Sequence, residues 1–207
     1  MSHSALAVFL LASLALAATP GPGVLYIVAR TLAQGRRAGL ASVAGVALGN
    51  FGNALGASLG LAALFALSAT AFTLVKFAGA VYLVYLGIRA LRVPDAAAPV
   101  SFAAPRHIFR DGFLVALLNP KTALFFAAFL PQFVVAAESP LRQSVVLGAC
   151  FVLIASCTDS AYVLAAAAVS RAFARTGPGA AWTRYGAAAV YIGLGVATAL
   201  TGSRGAK

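Results

Sequence analysis

Apolar residues gather along this chain into six long blocks, parted by short polar or basic turns. The blocks fall near residues 4–29, 39–66, 70–91, 112–136, 144–170 and 184–202. Each is close to or above the roughly 20 residues that a helix needs to cross a bilayer. The stretch between Arg37 and Lys76 carries no charge at all. It is too long for one crossing and reads as two, joined by a tight turn near Ser68-Thr70. The pattern predicts an all-α integral membrane protein with six transmembrane helices.

Two of the six blocks are interrupted in the same way. The first break is Thr19-Pro20-Gly21-Pro22-Gly23, and the second is Asn119-Pro120-Lys121. Proline removes a backbone donor and crowds the preceding turn, so a helix breaks or kinks there. Freed amides and carbonyls are costly in hydrocarbon unless protein, water or a ligand satisfies them. Broken helices at matching places in two halves mark a transporter binding site near the bilayer midplane.

The residues Ala18 to Leu25 can be laid over Leu118 to Phe125, and a basic turn and a Gly-containing span follow in each half. The expected architecture is therefore two inverted three-helix repeats with helices 1 and 4 broken. Residues 1–92 form the first repeat, 93–111 a cytoplasmic linker with Pro94, Pro99 and Pro105, and 112–207 the second repeat, all within one membrane domain. Three spans per half is an odd number, so the second half is inverted relative to the first.

Charge sets the orientation. Arg30, Arg36, Arg37, Arg89, Arg92, Arg106, Arg110, Arg171, Arg175 and Arg184 lie at odd-numbered loops, against Arg142, Arg204 and Lys207 on the other side. This asymmetry places the odd loops in the cytoplasm and both termini outside. The start imitates a secretory signal but lacks a basic leader, having only His3, and its apolarity runs on to Ala29. It is read as a retained first helix.

Composition agrees with a membrane solvent: 62% of the 207 residues are hydrophobic and 9% charged, where a soluble domain has about 25% charged. The net charge of +11 does not imply nucleic acid, because the basic residues sit at the ends of apolar blocks and not along one polar face.

Lys121 and Asp159 are the charges expected deep in the membrane; Lys76 lies within a turn or two of the outer surface, where it can snorkel. Lys121 follows a break directly and suits a substrate carboxylate. Asp159 suits an ammonium or a coupling proton. The two residues could instead simply pair and hold the bundle together. Thr19, Pro20, Gly21, Pro22 and Gly23 leave amides at a resumed helix start, a setting that favours a carboxylate, or else form a purely structural kink. Asn50, Asn53, Asn119 and Pro120 complete the candidate substrate site, the asparagines binding ligand or capping helices. Tyr162, one turn after Asp159, either bonds that carboxylate or packs as an aromatic.

Gly45, Gly49, Gly52, Gly56 and Gly60 recur four or three apart in the second span. They admit a neighbouring backbone, either within the bundle or across a homodimer seam. Cys150 and Cys157 lie seven apart on one helix, about 10.5 Å, and cannot form a disulfide with each other. That argues against a thiol-redox electron relay. His3 and His107 lie outside the spans and no acidic or thiol cluster accompanies them, which argues against a metal exporter, so no metal or cofactor is expected. An open aqueous channel is disfavoured by the scarcity of polar residues within the spans.

In combination, several motifs resemble the LysE/RhtB family of amino-acid exporters. They are Ala18 to Gly23, Gly35-Arg36-Arg37-Ala38-Gly39-Leu40, Gly45-Val46-Ala47-Leu48-Gly49, Gly60-Leu61 and Tyr82-Leu83-Val84-Tyr85-Leu86-Gly87. Phe109-Arg110-Asp111-Gly112-Phe113 followed by Asn119-Pro120-Lys121 completes the set. The resemblance covers nearly the whole chain. It implies about six spans in a bacterial inner membrane and efflux of amino acids or related small metabolites from the cytoplasm, driven by the proton gradient, with no enzymatic activity. It puts the family's Pro-Gly-Pro on Pro20-Gly21-Pro22, its Asn-Pro-Lys on Asn119-Pro120-Lys121 and its fifth-span acid on Asp159. The family's second span often carries a histidine where this chain has Asn53, which argues against a proton relay at that position.

Overall fold

A run of small and apolar residues from His3 to Ala18 forms α1, and it stops where Thr19-Pro20-Gly21 cannot continue the ladder. The structure, a computed structural model, describes residues 3–59, 69–91, 104–135 and 139–173, with isolated helical positions between 185 and 200. Every element in these residues is helical. Helix α2 spans Pro22–Ser58, α3 Ala69–Leu91, α4 Pro105–Leu117, α5 Pro120–Ala128 and α6 Pro140–Phe173, with a 3₁₀ turn at Leu130–Phe133. Most of the expected sixth span and most of the linker 93–111 lie outside the described residues.

Helix α2 is two arms. Gly35, at φ 81° and ψ 179°, is its one non-helical residue, a backbone conformation reserved for glycine. A side-chain carbon at position 23 would lie 3.4 Å from Val46 Cγ1. Residues 23 and 46 would be about 35 Å apart along a straight helix, so the chain folds back on itself at Gly35. The turn expected over Thr31 to Ala38 thus shrinks to a single residue.

Two apolar clusters build the core. One joins both arms of α2 to α3, α4 and α6 through Tyr26, Ile27, Val43, Val46, Leu83, Leu86, Val115 and Val163. The other joins α1, α5, the 3₁₀ turn and α6 through Phe9, Phe126, Leu130, Leu147 and Phe151. Its aromatic rings interlock: Phe126 meets Phe151 edge-on at 4.9 Å, and Phe9 meets Phe133 at 5.4 Å.

By length and composition α2 and α6 are able to cross a membrane, and α4 with α5 and the 3₁₀ turn form a third crossing bent by 50°. The outward faces carry Leu11, Leu40, Leu48, Leu74, Leu153 and Leu164, as lipid contact requires.

The glycine stripe of α2 is used inside the bundle. Position 49 lies 2.5 Å from the Phe113 carbonyl, measured from where a Cβ would sit, and position 45 is tighter still against the Phe109 carbonyl. Helix α4 therefore covers the part of the stripe formed by Gly45, Gly49 and Gly52. We expect Gly45→Ala to force α2 and α4 apart and destabilise the fold by about 1–3 kcal/mol. Gly52→Ala meets only the flexible end of Leu117, at 3.1 Å, and is expected to be mild. Thermal unfolding of the two variants in detergent checks the contrast; equal melting would mean that the close approach does not matter.

Candidate functional site

Both breaks face one cavity. Helix α1 ends with Thr19 N–H bonded to the Ala15 and Leu16 carbonyls, each at 3.2 Å, and Thr19 Oγ1 donates to Ala15 O at 2.7 Å. After Pro20, Gly21 takes an extended backbone (φ −141°, ψ −172°) and Pro22 opens α2 from its first turn, where its missing N–H matters least. No side chain caps this start. The amides of Gly23 and Val24 have no partner within the helix, as the first turn dictates.

The second break is closed differently. Helix α4 ends at Leu117, and the Asn119 side chain accepts from Lys121 N–H at 3.1 Å, capping α5. Asn119 also donates to Thr122 Oγ1 at 3.2 Å. On the far side of the break, Asn53 Nδ2 donates to the Ala116 carbonyl at 2.8 Å. Asn53 and Asn119 therefore serve the broken backbone itself.

Lys121 ties the breaks together. Its ammonium donates to the carbonyls of Leu16, at 2.8 Å, and Thr19, at 2.5 Å, both at the end of α1. Its stem crosses Gly21 so closely that a Cβ there would stand 3.2 Å from Lys121 Cδ. A side chain at 21 would make the lysine stem shift by a few tenths of an ångström. Tyr162 adds a third tie, donating to the Ala18 carbonyl at 2.8 Å, and so does not bond Asp159.

Asp159 is 4% exposed, and its carboxylate makes no hydrogen bond or ion pair among the described residues. Lys121 and Asp159 feel each other's charge without touching. The cavity between them has about 40 Å³ of room, space for a few waters. Of the residues singled out from the sequence, Thr19, Gly21, Gly23, Asn50, Asn119, Lys121 and Asp159 line it, and Pro20, Pro22, Asn53, Pro120 and Tyr162 do not. Asn50 is buried and faces the cavity without a hydrogen bond to protein among the described residues.

The sequence reading missed the apolar wall, formed by Leu16, Val24, Val46, Phe151 and Ala155. The spacing of Phe151, Ala155 and Asp159, four residues apart, puts all three on one face of α6 and would have shown it.

A second polar cluster was also missed. Asp111, expected at the end of the linker, lies inside α4 and is fully buried. Arg30 of α2 pairs with it at 2.9 Å, Tyr82 of α3 donates to it at 3.0 Å, and the exposed Arg110 reaches it at 3.5 Å. Arg30 also lies over the Tyr26 ring at 5.5 Å, and Tyr26 donates to the Ile108 carbonyl at 2.8 Å. The motif Phe109-Arg110-Asp111-Gly112 was visible; its partner 81 residues away was not.

Among the described residues no group of three His, Cys, Asp or Glu side chains is placed to hold a metal, and Cys150 and Cys157 are both free thiols.

Comparison with known proteins shows the family. The family model described as LysE type translocator matches residues 14–202. The chain is 34% identical over 143 residues to a homoserine/homoserine lactone efflux protein of Salmonella typhimurium, covering 68% of this chain and 69% of the relative. It is 32% identical over 169 residues to an uncharacterized membrane protein of Vibrio cholerae, covering 79% and 81%. It is 29% identical over 157 residues to a leucine efflux protein of Klebsiella pneumoniae, covering 73% and 74%. No solved structure matches it significantly. A membrane bundle broken at Pro20 and Pro120 around one charged cavity, matched by that model over nearly its whole length, belongs to the LysE type translocator family.

Proposed function

We propose that this protein exports neutral amino acids across the bacterial inner membrane in exchange for protons. The family is one of transporters and not of enzymes. One observation carries the reading: the two helix breaks, Lys121 and Asp159 all border a single cavity. A zwitterion fits these groups. Its carboxylate takes the free amides of Gly23 and Val24 and the third N–H of Lys121, two being used already. Its ammonium takes Asp159.

The remaining wall, Leu16, Val24, Val46, Phe151 and Ala155, offers no third charge, so a neutral side chain suits it and a lysine side chain does not. The printed names of two relatives, homoserine and leucine efflux proteins, point the same way. Asp159 carries a proton when the ammonium is absent, because an unpaired carboxylate is costly at this depth. That alternation couples export to the gradient. Thiol relay and metal export are not favoured.

The wider architecture belongs to the same proposal. Six spans form two inverted repeats, residues 1–92 and 112–207, joined by the linker 93–111. Helix α1 and the first arm of α2 make the broken first span, and α4 with α5 the broken fourth. Both termini face outward. The cavity widens around the breaks to admit substrate and closes to the small volume described here.

Everted vesicles, whose cytoplasmic face is outside, test the reading by their uptake of radiolabelled leucine, homoserine or lysine from the medium. An imposed proton gradient is expected to speed movement of the first two several-fold and leave lysine unchanged. Equal movement with and without the gradient, or a preference for lysine, would count against it.

A further inference from the structure

We propose that the ammonium of Lys121 occupies a site built for a monovalent metal cation, so that export needs no sodium. Four observations carry this. First, Lys121 Nζ is held by main-chain carbonyls, Leu16 O at 2.8 Å and Thr19 O at 2.5 Å, with no carboxylate in contact. Carbonyls released where a broken helix ends are the ligands by which many transporters hold a coupling ion. Such oxygens suit a hard, weakly charged cation stripped of part of its water.

Second, the end of α1 needs positive charge and has none of its own. Its last turn contains no basic residue. The negative end of the helix dipole and the open carbonyls there are met by a side chain from 102 to 105 residues further on. Third, the same cavity holds Asp159 without a hydrogen bond, together with Asn50 and Thr122. Two carbonyls, a carboxylate and neutral side-chain oxygens form the donor set of an alkali cation.

Fourth, the backbone is shaped for the lysine to arrive. Gly21 gives way where the stem passes, and the Asn119 cap starts α5 so that Lys121 is its second residue. The lysine is thus a cation on a leash. Two of its N–H groups neutralise the carbonyls throughout and the third is left for the substrate carboxylate, while Asp159 exchanges a proton for the substrate ammonium. This extends the exporter reading above, since it specifies which ion the cycle does without.

Lys121→Ala empties the site and leaves its oxygen ligands in place. The purified protein in detergent is melted in sodium chloride or in choline chloride at equal ionic strength. Wild type is expected to melt alike in both. Lys121→Ala is expected to melt lower than wild type in choline and to recover with sodium in a saturable way, because an ion that binds only the folded state raises its melting point. Adding Asp159→Asn to that variant is expected to weaken the sodium effect at least tenfold.

A folded Lys121→Ala that is indifferent to sodium would overturn the proposal, as would a wild type stabilised by sodium over choline. If Lys121→Ala does not insert, its yield in cells and detergent supplied with sodium decides: rescue by sodium but not choline supports the site, and no rescue rejects it. No amino acid is present in these measurements, so their failure leaves the exporter reading standing. Failure of efflux would in turn leave the ion site untouched.

Discussion

Asp159→Asn is expected to abolish proton-driven efflux while the protein still inserts and folds. Asparagine keeps the shape of the side chain and loses only the charge. Because the Asp159 carboxylate makes no hydrogen bond or ion pair among the described residues, its replacement strands no partner. On the proposed cycle Asp159 is protonated when no ammonium is bound, so asparagine replaces one neutral group with another and melting in detergent should hold. Transport loses the group that meets the substrate ammonium. Leaving one member of a buried charge pair without its partner costs about 2–5 kcal/mol. At about 1.4 kcal/mol per tenfold, that is roughly a thirty-fold or greater loss in initial rate. Proton coupling is lost altogether, since asparagine does not titrate. A variant that drives leucine out at the wild-type rate under a proton gradient would remove Asp159 from the mechanism.

The second large effect concerns stability. Asp111→Ala leaves the Arg30 guanidinium without the carboxylate 2.9 Å away and takes the acceptor from Tyr82, with all of this held among α2, α3 and α4. Breaking a buried pair from one side is destabilising by about 3–5 kcal/mol, far more than deleting an exposed contact. Arg110→Ala, whose side chain is 60% exposed, should change little by the same reasoning. Thermal unfolding of both variants separates the cases. If Asp111→Ala and Arg110→Ala melt together near wild type, Arg30 and Asp111 do not hold these three helices.

The breaks were legible in the chain because proline forbids a backbone hydrogen bond wherever it stands, whatever surrounds it. Lys121 and Asp159 were legible because apolar neighbours make any charge conspicuous. What could not be read was which partner each polar group takes. Asn119 offers the same chemistry to a ligand and to a helix start, and only the placement of Lys121 N–H decides for the cap. Tyr162 shares a helix face with Asp159, yet its hydroxyl reaches the end of α1, a strand of chain 144 residues away.

Asp111 was hidden by its own neighbourhood. It follows Arg106, His107 and Arg110 after a proline-rich stretch, so local composition reads as a wet loop. Burial arises only when Arg30 and Tyr82 arrive from two other helices. The glycine stripe stayed ambiguous for a related reason. Small side chains announce that something comes close without naming it, and the carbonyls of Phe109 and Phe113 supply the name.

Helix α1 is fastened unevenly. At its C-terminal end three strong hydrogen bonds from Lys121 and Tyr162 clamp the carbonyls of Leu16, Ala18 and Thr19. Midway along its roughly 24 Å length Phe9 packs against Phe125, Phe129 and Phe133. Oily contacts of this kind are exchanged cheaply for acyl chains. A rod clamped so firmly at its foot turns about that end, so movement of α1 is smallest beside the cavity.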